Sequence, residues 1–525
     1  YPHSKTFPNK EQWEEATQQE LHGLYVTKKC LKPITKDQVY TDPRYKGIKV
    51  IPSCVVYKNK VNSDGSHKKC KARICAGGHR QIAGDGTYDE TFAPTAGLTT
   101  IRFCLTLAVN MGLKPYQLDV EQAFLNNELE NTMVMELPAG IEIDGCRHVE
   151  LLKGVYGLKQ APALWYKHCY NAITKASKGL LQRSKTDPCL FYFFGPDYTV
   201  LLTVTVDDFA IFTNSIEWLE EFKDEFNKIY AITQEPNFTW FLGIRLQWNE
   251  DQTAVKLDQP NDIRKALIRF NLLDAKEYAT PMASDFDSEP VADENINPDF
   301  PYSALIGVLL WIARMTRPDI QLAVTLLASH TKKFTEYHVK QAKRTLSYLK
   351  GTSELGLHIQ KSKDFDLHNC QLEIYSDSDW ARDKIKRRSV TGFIGYFLGS
   401  PIVYRACYQP TIALSSCEAE YMAMTDAAKE VLYFRNIFAE LAKYAKLSFP
   451  TVMHVDNTAA IALATTLVAN KRTKHIDIRY HFLRELYQNG IIKPTKIHTD
   501  DNNADIFTKP LDEPVFIRHR PKLIH

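Results

Sequence analysis

The sequence lacks the apolar runs of a membrane protein. No stretch approaches the roughly 18 consecutive apolar residues that a bilayer-spanning helix needs. The chain opens with Tyr1 and a polar segment rather than a secretory signal. We therefore expect no membrane partner. The missing initiator methionine leads us to expect that the chain was excised from a longer protein.

The sequence also lacks a strong excess of one charge and an ordered set of cysteines. Its 65 basic and 62 acidic residues give a net charge of +3, so any nucleic-acid contact has to come from local basic clusters. The eleven cysteines are scattered. Cys70 and Cys75 lie close together, but no matching Cys or His pair completes a zinc-binding spacing, which predicts reduced thiols.

What the chain does have is length and a normal globular composition. Its 525 residues suffice for about three or four domains. Short helices and strands mix over residues 1–230, and residues 231–283 look helical after the segment Trp240–Gly243. An acidic, proline-bearing stretch over 284–301 is typical of a linker. Helices are predicted over 302–365, and from Leu372 a new α/β pattern follows: three strands, a long helix, a strand and further helices.

Two adjacent carboxylates stand inside an apolar, β-branched run over Val200–Phe212. The run predicts two buried strands that meet at a tight turn carrying Asp207 and Asp208. Adjacent like charges between apolar strands are costly, and a divalent cation would relieve that cost. Asp119, at the end of another predicted strand, would supply a third carboxylate. Taken alone, the doublet fits an ordinary turn as well as a metal site.

Short motifs along nearly the whole chain resemble copia-type reverse transcriptases, which are parts of LTR-retrotransposon polyproteins. These motifs are Lys71–Arg73, Tyr88–Pro94, Leu118–Val120 followed by Ala123–Asn126, Tyr156–Pro162, Val206–Asp208 and Phe241–Gly243. Their order and spacing make the resemblance specific. It implies an α/β (α+β) fold, a right-hand polymerase with fingers, palm, thumb and connection. It also implies two Mg²⁺ ions per active site, with Mn²⁺ as the alternative.

The resemblance implies roles for single residues of the palm. Asp119 and Asp207 would hold both metal ions, and Asp208 would be the lesser ligand because neighbouring strand residues point apart. Phe124 falls where the family places an aromatic gate against a ribose 2′-hydroxyl. Gln160 falls where the family contacts the incoming nucleotide. The alternatives are a core Phe124 and a loop Gln160 that caps backbone groups.

Further roles fall on the fingers and on a predicted hairpin. Lys71 and Arg73 lie two apart on a predicted strand and so share a face; one or both would hold the triphosphate. A solvated strand face is the alternative for each. Phe241 and Gly243 belong to a segment that resembles the hairpin positioning the primer end. A plain β-turn is the alternative.

Two positions depart from the family pattern. The family usually has tyrosine two residues before the first aspartate of the doublet, where this chain has Thr205. This change puts the primer contact in doubt. Gly77, beside Gly78, replaces a basic residue of the fingers, which is expected to weaken template binding. Neither change touches a predicted metal ligand.

The C-terminal part carries four separated carboxylates at the edges of predicted elements. Asp377 ends a first strand, Glu418 opens a long helix, Asp456 ends a later strand and Asp505 lies in a following segment. One acid on each of several elements is how a fold builds a shared two-metal site. Taken alone, each has another explanation: Ser415 and Glu418 have capping-box spacing, Asp456 could cap a helix, and Asp377 could lie in a turn.

Three runs in this part look like the ribonuclease H of the same retrotransposons: Ala413–Tyr421, Arg472–Phe482 and Ala504–Pro510. The resemblance implies a ribonuclease H-like α/β domain whose metal ligands are Asp377, Glu418, Asp456 and Asp505. Nearby acids compete with the last assignment, namely Asp477, Asp500 and Asp501.

Other polar residues of this part have two explanations each. His475 and His481 lie on a predicted helix and are either structural or in contact with an RNA–DNA hybrid. The basic run Lys384–Arg388 either touches the hybrid backbone or forms a solvated turn.

The predicted function is RNA- and DNA-directed DNA synthesis with degradation of the RNA in the hybrid, by two-metal-ion phosphoryl transfer. The predicted partners are the RNA template, a DNA or tRNA primer, the RNA–DNA hybrid, dNTPs and other polyprotein products such as integrase and capsid. The family places copying in cytoplasmic virus-like particles, with later transfer to the nucleus. A homodimer is left open.

Two other classes of protein are alternatives to this predicted function. A catalytically decayed copy would only bind nucleic acid, but all seven expected carboxylates are present. An integrase-type recombinase would lack the Val-Asp-Asp hairpin. The predicted boundaries are 1–230 for fingers and palm, 231–283 for the thumb, 284–301 for the linker, 302–370 for the connection, 371–512 for the ribonuclease H and 513–525 for a tail.

Overall fold

The computed structural model describes residues 10–61, 67–84, 87–286, 296–383, 386–466 and 477–525. Half of the predicted linker (residues 287–295), Lys384 and His475 lie outside these ranges. Within them, no helix has both the length and the apolar character needed to cross a membrane. The structure confirms a mixed α/β fold.

The helices of the described residues are α1 (Lys10–His22), α2 (Lys36–Thr41), α3 (Leu98–Met111), α4 (Ala161–Ala176), α5 (Ile216–Asn227), α6 (Pro260–Arg269), α7 (Tyr302–Met315), α8 (Gln321–Ala328), α9 (Glu336–Gly351), α10 (Ser416–Glu440), α11 (Thr458–Thr465), α12 (Asp477–Gln488) and α13 (Glu513–His519).

The strands are β1 (Leu31–Ile34), β2 (Ser53–Val61), β3 (His67–Ala76), β4 (Lys114–Val120), β5 (Glu128–Glu136), β6 (His148–Lys153), β7 (Gln182–Arg183), β8 (Leu190–Phe194), β9 (Thr199–Thr205), β10 (Asp208–Thr213), β11 (Ile232–Gln234), β12 (Trp240–Phe241), β13 (Ile244–Trp248), β14 (Ala254–Asp258), β15 (Leu357–Gln360), β16 (Leu372–Asp379), β17 (Val390–Phe397), β18 (Ser400–Tyr408), β19 (Thr451–Val455) and β20 (Ile492–Lys496).

The first half of the chain is organised around a six-stranded antiparallel sheet in the order β11-β4-β10-β9-β8-β7. The predicted pair of strands around the Asp doublet is confirmed as β9 and β10. Leu118 and Phe209 are fully buried on one face of the sheet. Because side chains alternate along a strand, Asp119 and Asp208 point to the opposite face. The sheet therefore separates an apolar core from a polar cleft.

Helix α3 connects the first half of the chain to the C-terminal part. Its residues from Thr100 to Asn110 are all buried, which is typical of a helix covered on every side. One face packs on β9 and β10, and another packs on β15 and β18. Phe103 contacts Phe397 of β17, with ring centroids 5.2 Å apart. The two halves thus share one continuous apolar core.

The prediction that residues 231–283 are helical was wrong for most of that range. They contribute β11 to β14 and only one helix, α6. The reason is visible in β13 and β14, where buried and half-buried side chains alternate as in a strand with one covered face. Strand β14 pairs with β15, so the regions predicted as thumb and connection share one sheet. The helices predicted from residue 302 onward are confirmed as α7, α8 and α9.

The C-terminal part is a five-stranded mixed sheet in the order β18-β17-β16-β19-β20. Strands β16, β17 and β18 are antiparallel, whereas β19 and β20 run parallel to β16. The long helix α10 packs across β16 and β17. The predicted order of three strands, a long helix and a strand is confirmed, with β20 as an addition. The predicted tail is docked: Gly356 and His525 exchange two backbone hydrogen bonds of 3.0 Å.

Candidate active sites

The three carboxylates predicted for the polymerase site meet on one face of the six-stranded sheet. Asp119 of β4 is the direct cross-strand partner of Asp208 of β10. Directly opposed residues of an antiparallel pair project to the same face. Asp207 lies in the adjoining turn, where its carbonyl accepts a 2.9 Å hydrogen bond from the Val120 amide. We call Asp119, Asp207 and Asp208 the first acidic cluster.

The electrostatics of the first acidic cluster are those of crowded anions. Burial, together with the charges of Asp207 and Asp119, raises the pKa of Asp208 to about 6. The Gln117 amide opposes this weakly through a 3.4 Å hydrogen bond to Asp208 Oδ1. A divalent cation would remove this repulsion, so the donor set fits one.

The turn that carries Asp207 has an unusual backbone. Val206 has a φ of 59°, which a β-branched residue rarely adopts. The Trp165 indole holds the turn by donating a 2.7 Å hydrogen bond to the Val206 carbonyl. Backbone strain of this kind is concentrated at functional sites, where the surrounding structure enforces it. Trp165 is a supporting residue that the sequence motifs did not reveal.

Thr205, where this chain departs from the family pattern, lies beside the first acidic cluster in the sheet. It is the cross-strand partner of Asp208 on the other side, in β9. Its hydroxyl is buried and has no hydrogen-bond partner among the described residues. The side chain therefore adjoins the first acidic cluster without being tied to it.

Strand β3, in the region predicted as fingers, carries the two basic side chains predicted to bind the triphosphate. Ala72, Ile74 and Ala76 are buried, so Lys71 and Arg73 share the opposite face as predicted. The Arg73 guanidinium lies 4.9 Å from the centroid of the Tyr156 ring.

Tyr156 links this strand to the palm. Its ring meets Phe124 edge-on at 6.0 Å. Burial raises the pKa of Tyr156; Arg73 opposes the rise and Asp207 adds to it. Phe124 is half-buried and packs against the edge of the apolar core.

An acid that the motifs did not reveal accompanies the basic pair. Burial raises the pKa of Glu20 of α1, while a hydrogen bond from the Ile74 amide and the charges of Lys71 and Arg73 oppose the rise. Glu20 is thus a charge partner of both basic residues in this conformation.

The structure gives Gln160 a structural role. The side chain is 8% exposed. Its Oε1 accepts a 2.9 Å hydrogen bond from Gln81, and its Nε2 donates a 3.0 Å bond to the Thr87 carbonyl. Both ends of the amide are occupied in this conformation, as the alternative of a loop glutamine that caps backbone groups expects, while the nucleotide contact stays a prediction.

Close backbone approach explains the glycines of the fingers. A Cβ on Gly78 would lie 2.0 Å from the Gly157 carbonyl oxygen. A larger residue could not occupy this position without moving the backbone. The Ala76 amide also donates a 2.7 Å hydrogen bond to the Tyr156 carbonyl here, which fixes the fingers strand on the turn before α4.

The predicted hairpin exists, but its two marker residues act structurally. Leu242 and Gly243 have φ values of 51° and 79°, as in the type I′ turn that joins β12 to β13. Phe241 is 3% exposed and packs on Phe238. Gly243 is close to Trp311 of α7, whose indole is 42% exposed. The exposed aromatic residues at this hairpin are therefore Trp240 and Trp311 rather than Phe241.

The second group of acids converges from distant parts of the chain. Carboxylate oxygens of Asp377, Asp456 and Asp505 all lie within 4.8 Å of one another. Of the described residues, this trio alone forms such a compact group; the first acidic cluster is more open. Asp456 does not cap the following helix, because Asn457 accepts the hydrogen bond from the Ala460 amide.

The helical member of this site is Glu420, which corrects the prediction of Glu418. Glu418 turns back to the helix start, where its Oε2 accepts a 2.8 Å hydrogen bond from the Leu414 amide. Two residues further along a helix the side chain points to the other side. Glu420 Oε1 accepts a 3.3 Å bond from the Ser378 amide, beside Asp377. We call Asp377, Glu420, Asp456 and Asp505 the second acidic cluster.

Burial and mutual repulsion govern the second acidic cluster. Burial raises the pKa of Glu420 well above its ordinary value, and Asp377 and Asp456 add to the rise. Burial and the charge of Asp377 together raise the pKa of Asp505 to about 7, while Lys509 opposes the rise. Among the described residues, Asp377 Oδ1 and Glu420 Oε2 are buried without any hydrogen-bond partner. Oxygens left in this way fit the coordination of a divalent cation.

The other polar residues predicted near this site lie further out. His481 is exposed on α12, and Arg388 stacks on Tyr408 with its guanidinium 5.3 Å from the ring centroid. The competing acids Asp500 and Asp501 are exposed, and Asp500 pairs with Arg518.

Buried polar contacts fix the two sites relative to each other. Arg102 of α3 is 5% exposed and donates hydrogen bonds to the carbonyls of Arg314 (2.7 Å), Met315 (2.9 Å) and Ile402 (3.3 Å). Its guanidinium stacks on Tyr404 of β18 at 4.7 Å. One side chain of the first half thereby holds the end of α7 and the edge of the C-terminal sheet.

Comparisons with known proteins agree with this architecture. Residues 38–284 match the family described as reverse transcriptase (RNA-dependent DNA polymerase). A foamy viral protease–reverse transcriptase, solved in complex with double-stranded DNA, has a similar fold, with a TM-score of 0.50 and 12% identity. The superposition covers 95% of this chain and 72% of that one. Residues 38–284 are thus similar to the reverse transcriptase family, and the fold is similar to that of a viral reverse transcriptase.

Relatives in plants give the narrower placement. The Pol polyprotein of transposon RE1 from Arabidopsis thaliana is 34% identical over 470 residues, and that of transposon TNT 1-94 from Nicotiana tabacum is 32% identical over 463 residues. These alignments cover 89% and 86% of this chain, which spans about a third of the length of either relative. The predicted resemblance to copia-type Pol polyproteins is confirmed.

Proposed function

We propose that this chain copies an RNA template into DNA and degrades the RNA strand of the resulting hybrid. The observation that carries the proposal is the register of β4 and β10. It sets Asp119 beside Asp208, with Asp207 in the adjoining turn. A face with three carboxylates next to a fingers strand bearing Lys71 and Arg73 suits a nucleotide triphosphate and a primer end. The relatives' printed names and the foamy viral complex with DNA support this class of substrate.

Divalent ions, most simply Mg²⁺ with Mn²⁺ as the alternative, would be held by Asp119, Asp207 and Asp208 at one site and by the second acidic cluster at the other. When bound, they would favour deprotonation of the attacking hydroxyl or water and stabilise the leaving oxygen. The chain's own part is to fix the carboxylates: Trp165 holds the palm turn, and the Ser378 amide holds Glu420. Phe124 would limit the space at the sugar.

The described contacts suggest a path for the duplex between the sites. Ser303, Gly307 and Trp311 are exposed on one face of α7, at intervals of four residues. The β12–β13 hairpin adjoins this face through Trp311. An indole and small residues in a row suit close contact with the sugars of a duplex. We propose that this face guides the hybrid from the first acidic cluster toward the second.

The layout of fingers, palm, thumb, connection and ribonuclease H within the predicted boundaries is part of the proposal. The sheet shared by β14 and β15 argues for treating residues 231–283 and 302–370 as one supporting unit behind the palm. RNA template, a DNA or tRNA primer and dNTPs are the proposed partners. Copying inside cytoplasmic particles, with later transfer to the nucleus, is proposed for the whole polyprotein.

Primer extension on an RNA template tests the polymerase part. The wild-type chain in Mg²⁺ should incorporate dNTPs, and Asp207→Asn should abolish the signal, because the exchange removes a carboxylate at the reacting end of the primer. Glu420→Gln is the matched control and should extend primers normally. Equal extension by wild type and Asp207→Asn would contradict the proposal. Template binding without any extension by the wild-type chain would favour a decayed copy that only binds nucleic acid.

A further inference from the structure

A lysine lies inside the second acidic cluster. The Lys509 ammonium is 3.3 Å from Asp377 Oδ2 and 3.2 Å from Asp505 Oδ1. The two carboxylate side chains are 1% and 8% exposed, whereas the lysine side chain is 36% exposed. The ammonium therefore reaches the buried acids from the solvent side.

The backbone around Lys509 sets its position. Asp505 opens a short 3₁₀ turn, and the Lys509 amide donates a 3.0 Å hydrogen bond to the Asp505 carbonyl. The side chains of residues 505 and 509 are thereby on the same side of the turn. Thr508 completes the arrangement through its hydroxyl, which donates to Asp377 Oδ2. The lysine is thus held in place by the same segment that supplies Asp505.

The charge balance of the cluster makes this position significant. Three carboxylates with oxygens within 4.8 Å of one another repel strongly when they are buried. An ammonium is a compact point charge with three donors, so it can bond to two of them at once. Its contacts leave Asp377 Oδ1 and Glu420 Oε2 without partners among the described residues. These oxygens stay available to a second cation.

We propose that Lys509 is a built-in counter-cation of the second acidic cluster. Without divalent ions the ammonium holds the carboxylates together, and binding of divalent ions displaces it from Asp377 and Asp505. The inference rests on the proposed metal role of the cluster. The displaced ammonium would remain at the rim, where it can pair with a backbone phosphate of the nucleic acid. Lys509 is a positioning residue in this scheme.

A purely structural ion pair makes the opposite prediction for metal affinity. Removal of a structural partner would loosen the carboxylates and weaken metal binding. Removal of a competing cation lowers the positive charge at the site and strengthens metal binding. The sign of the change therefore separates the two roles.

The experiment uses the full chain as wild type, Lys509→Met and Lys509→Arg. Lys493→Met is the matched control, because Lys493 is an exposed lysine of β20 in the same sheet. Mn²⁺ binding is measured by titration calorimetry. Asp377→Asn identifies the binding that belongs to the second acidic cluster. Thermal unfolding is followed in parallel with EDTA and with Mn²⁺.

We expect Lys509→Met to bind Mn²⁺ about tenfold more tightly at the second cluster, a gain of about 1.4 kcal/mol. The same variant should unfold at a lower temperature than wild type in EDTA and recover in Mn²⁺. Lys509→Arg should restore the behaviour of the wild type in EDTA, and Lys493→Met should match it throughout. Unchanged or weaker Mn²⁺ binding by Lys509→Met would overturn the inference.

The two failures can be told apart. If wild type and Asp377→Asn bind Mn²⁺ equally, the metal role in the proposed function fails. In that case thermal unfolding in EDTA still tests the role of Lys509. If Lys509→Met unfolds at the same temperature as the wild type in EDTA, Lys509 is not a counter-cation.

Discussion

The first and second acidic clusters are built in two different ways. Asp119, Asp207 and Asp208 come from neighbouring strands and one turn, so hydrogen-bonded register alone brings them together. The second cluster joins strand β16, the residue after β19, helix α10 and a 3₁₀ turn, which are far apart in sequence. The first cluster is more open, whereas the second is compact and paired with Lys509. Local register is thus enough for one site, while the other depends on the whole C-terminal fold.

The sharpest test of how the second acidic cluster is built compares two glutamates of helix α10. Glu420→Gln should reduce cleavage of RNA in a hybrid by at least about 100-fold, because it removes a charge from the cluster. Glu418→Gln should leave cleavage nearly unchanged and cost about 1 kcal/mol of stability, because the Glu418 carboxylate accepts a hydrogen bond at the helix start, on the side away from the cluster. Cleavage of end-labelled RNA and denaturant unfolding measure the two effects. Loss of cleavage in Glu418→Gln, with normal cleavage in Glu420→Gln, would refute the reassignment.

A second test asks how firmly the two halves of the chain, each carrying one acidic cluster, are joined. Arg102→Met should lower the free energy of unfolding by about 3 kcal/mol, because several buried carbonyls lose their donor. Arg147→Met is the control: its ion pair with Glu136 is exposed, so the loss should stay below about 1 kcal/mol. Denaturant unfolding gives both values. Equal losses for the two variants would mean that Arg102 does not join the halves.

A third prediction concerns pH and applies to the chain without metal. The pKa of Asp505 is raised from 3.8 to about 7 in the folded state, so the folded chain binds a proton there that the unfolded chain has already released. Between about pH 4 and pH 7 this carboxyl therefore makes stability fall as pH rises. Asp208, with a pKa of about 6, contributes in the same direction over a narrower window.

The measurement is thermal unfolding in EDTA from pH 4 to pH 8, for wild type and Asp505→Asn. The difference in unfolding temperature between the two proteins isolates the contribution of Asp505. The change of this difference with pH should be smaller when Mg²⁺ replaces EDTA, because the ion competes with the proton for the carboxylate. A difference that does not vary with pH would count against the buried, repelled carboxylates described here.

The smallest expected effect belongs to the first cluster. Thr205→Val replaces a buried hydroxyl that has no partner among the described residues by a methyl group. Stability should rise by about 0.5–1 kcal/mol, since no hydrogen bond is lost and a desolvation cost disappears. Primer extension should stay within about twofold of wild type. A large loss of extension would instead assign the Thr205 hydroxyl to the primer.

The same contrast explains what could be predicted from the sequence. The palm hairpin, the strand bearing Lys71 and Arg73, and the order of elements after Leu372 follow from local patterns and are confirmed by the structure. Helix-like composition misled the prediction for residues 231–283, because β13 and β14 gain their stability from pairing with each other and with the distant β15.

Side-chain choice within a motif was harder to predict. Ser-x-x-Glu spacing identified Glu418 correctly as a capping residue, which should have excluded it as a ligand and left Glu420 on the sheet side of α10. The role of Lys509 could have been suspected from its spacing of four residues after Asp505. The hydrogen bonds of Gln160 with Gln81 and Thr87 could not have been predicted, because they join segments that are far apart in the chain.

Mapping RNA cuts against the primer end tests most directly whether one chain brings both clusters to one duplex. The RNA template carries an end label, and primers of increasing length place the primer end at known positions. We predict one main cut that moves in step with the primer end, because Arg102 and its neighbours fix the distance between the sites. Cuts whose positions ignore the primer end, or that persist in Glu420→Gln, would contradict the two-cluster account.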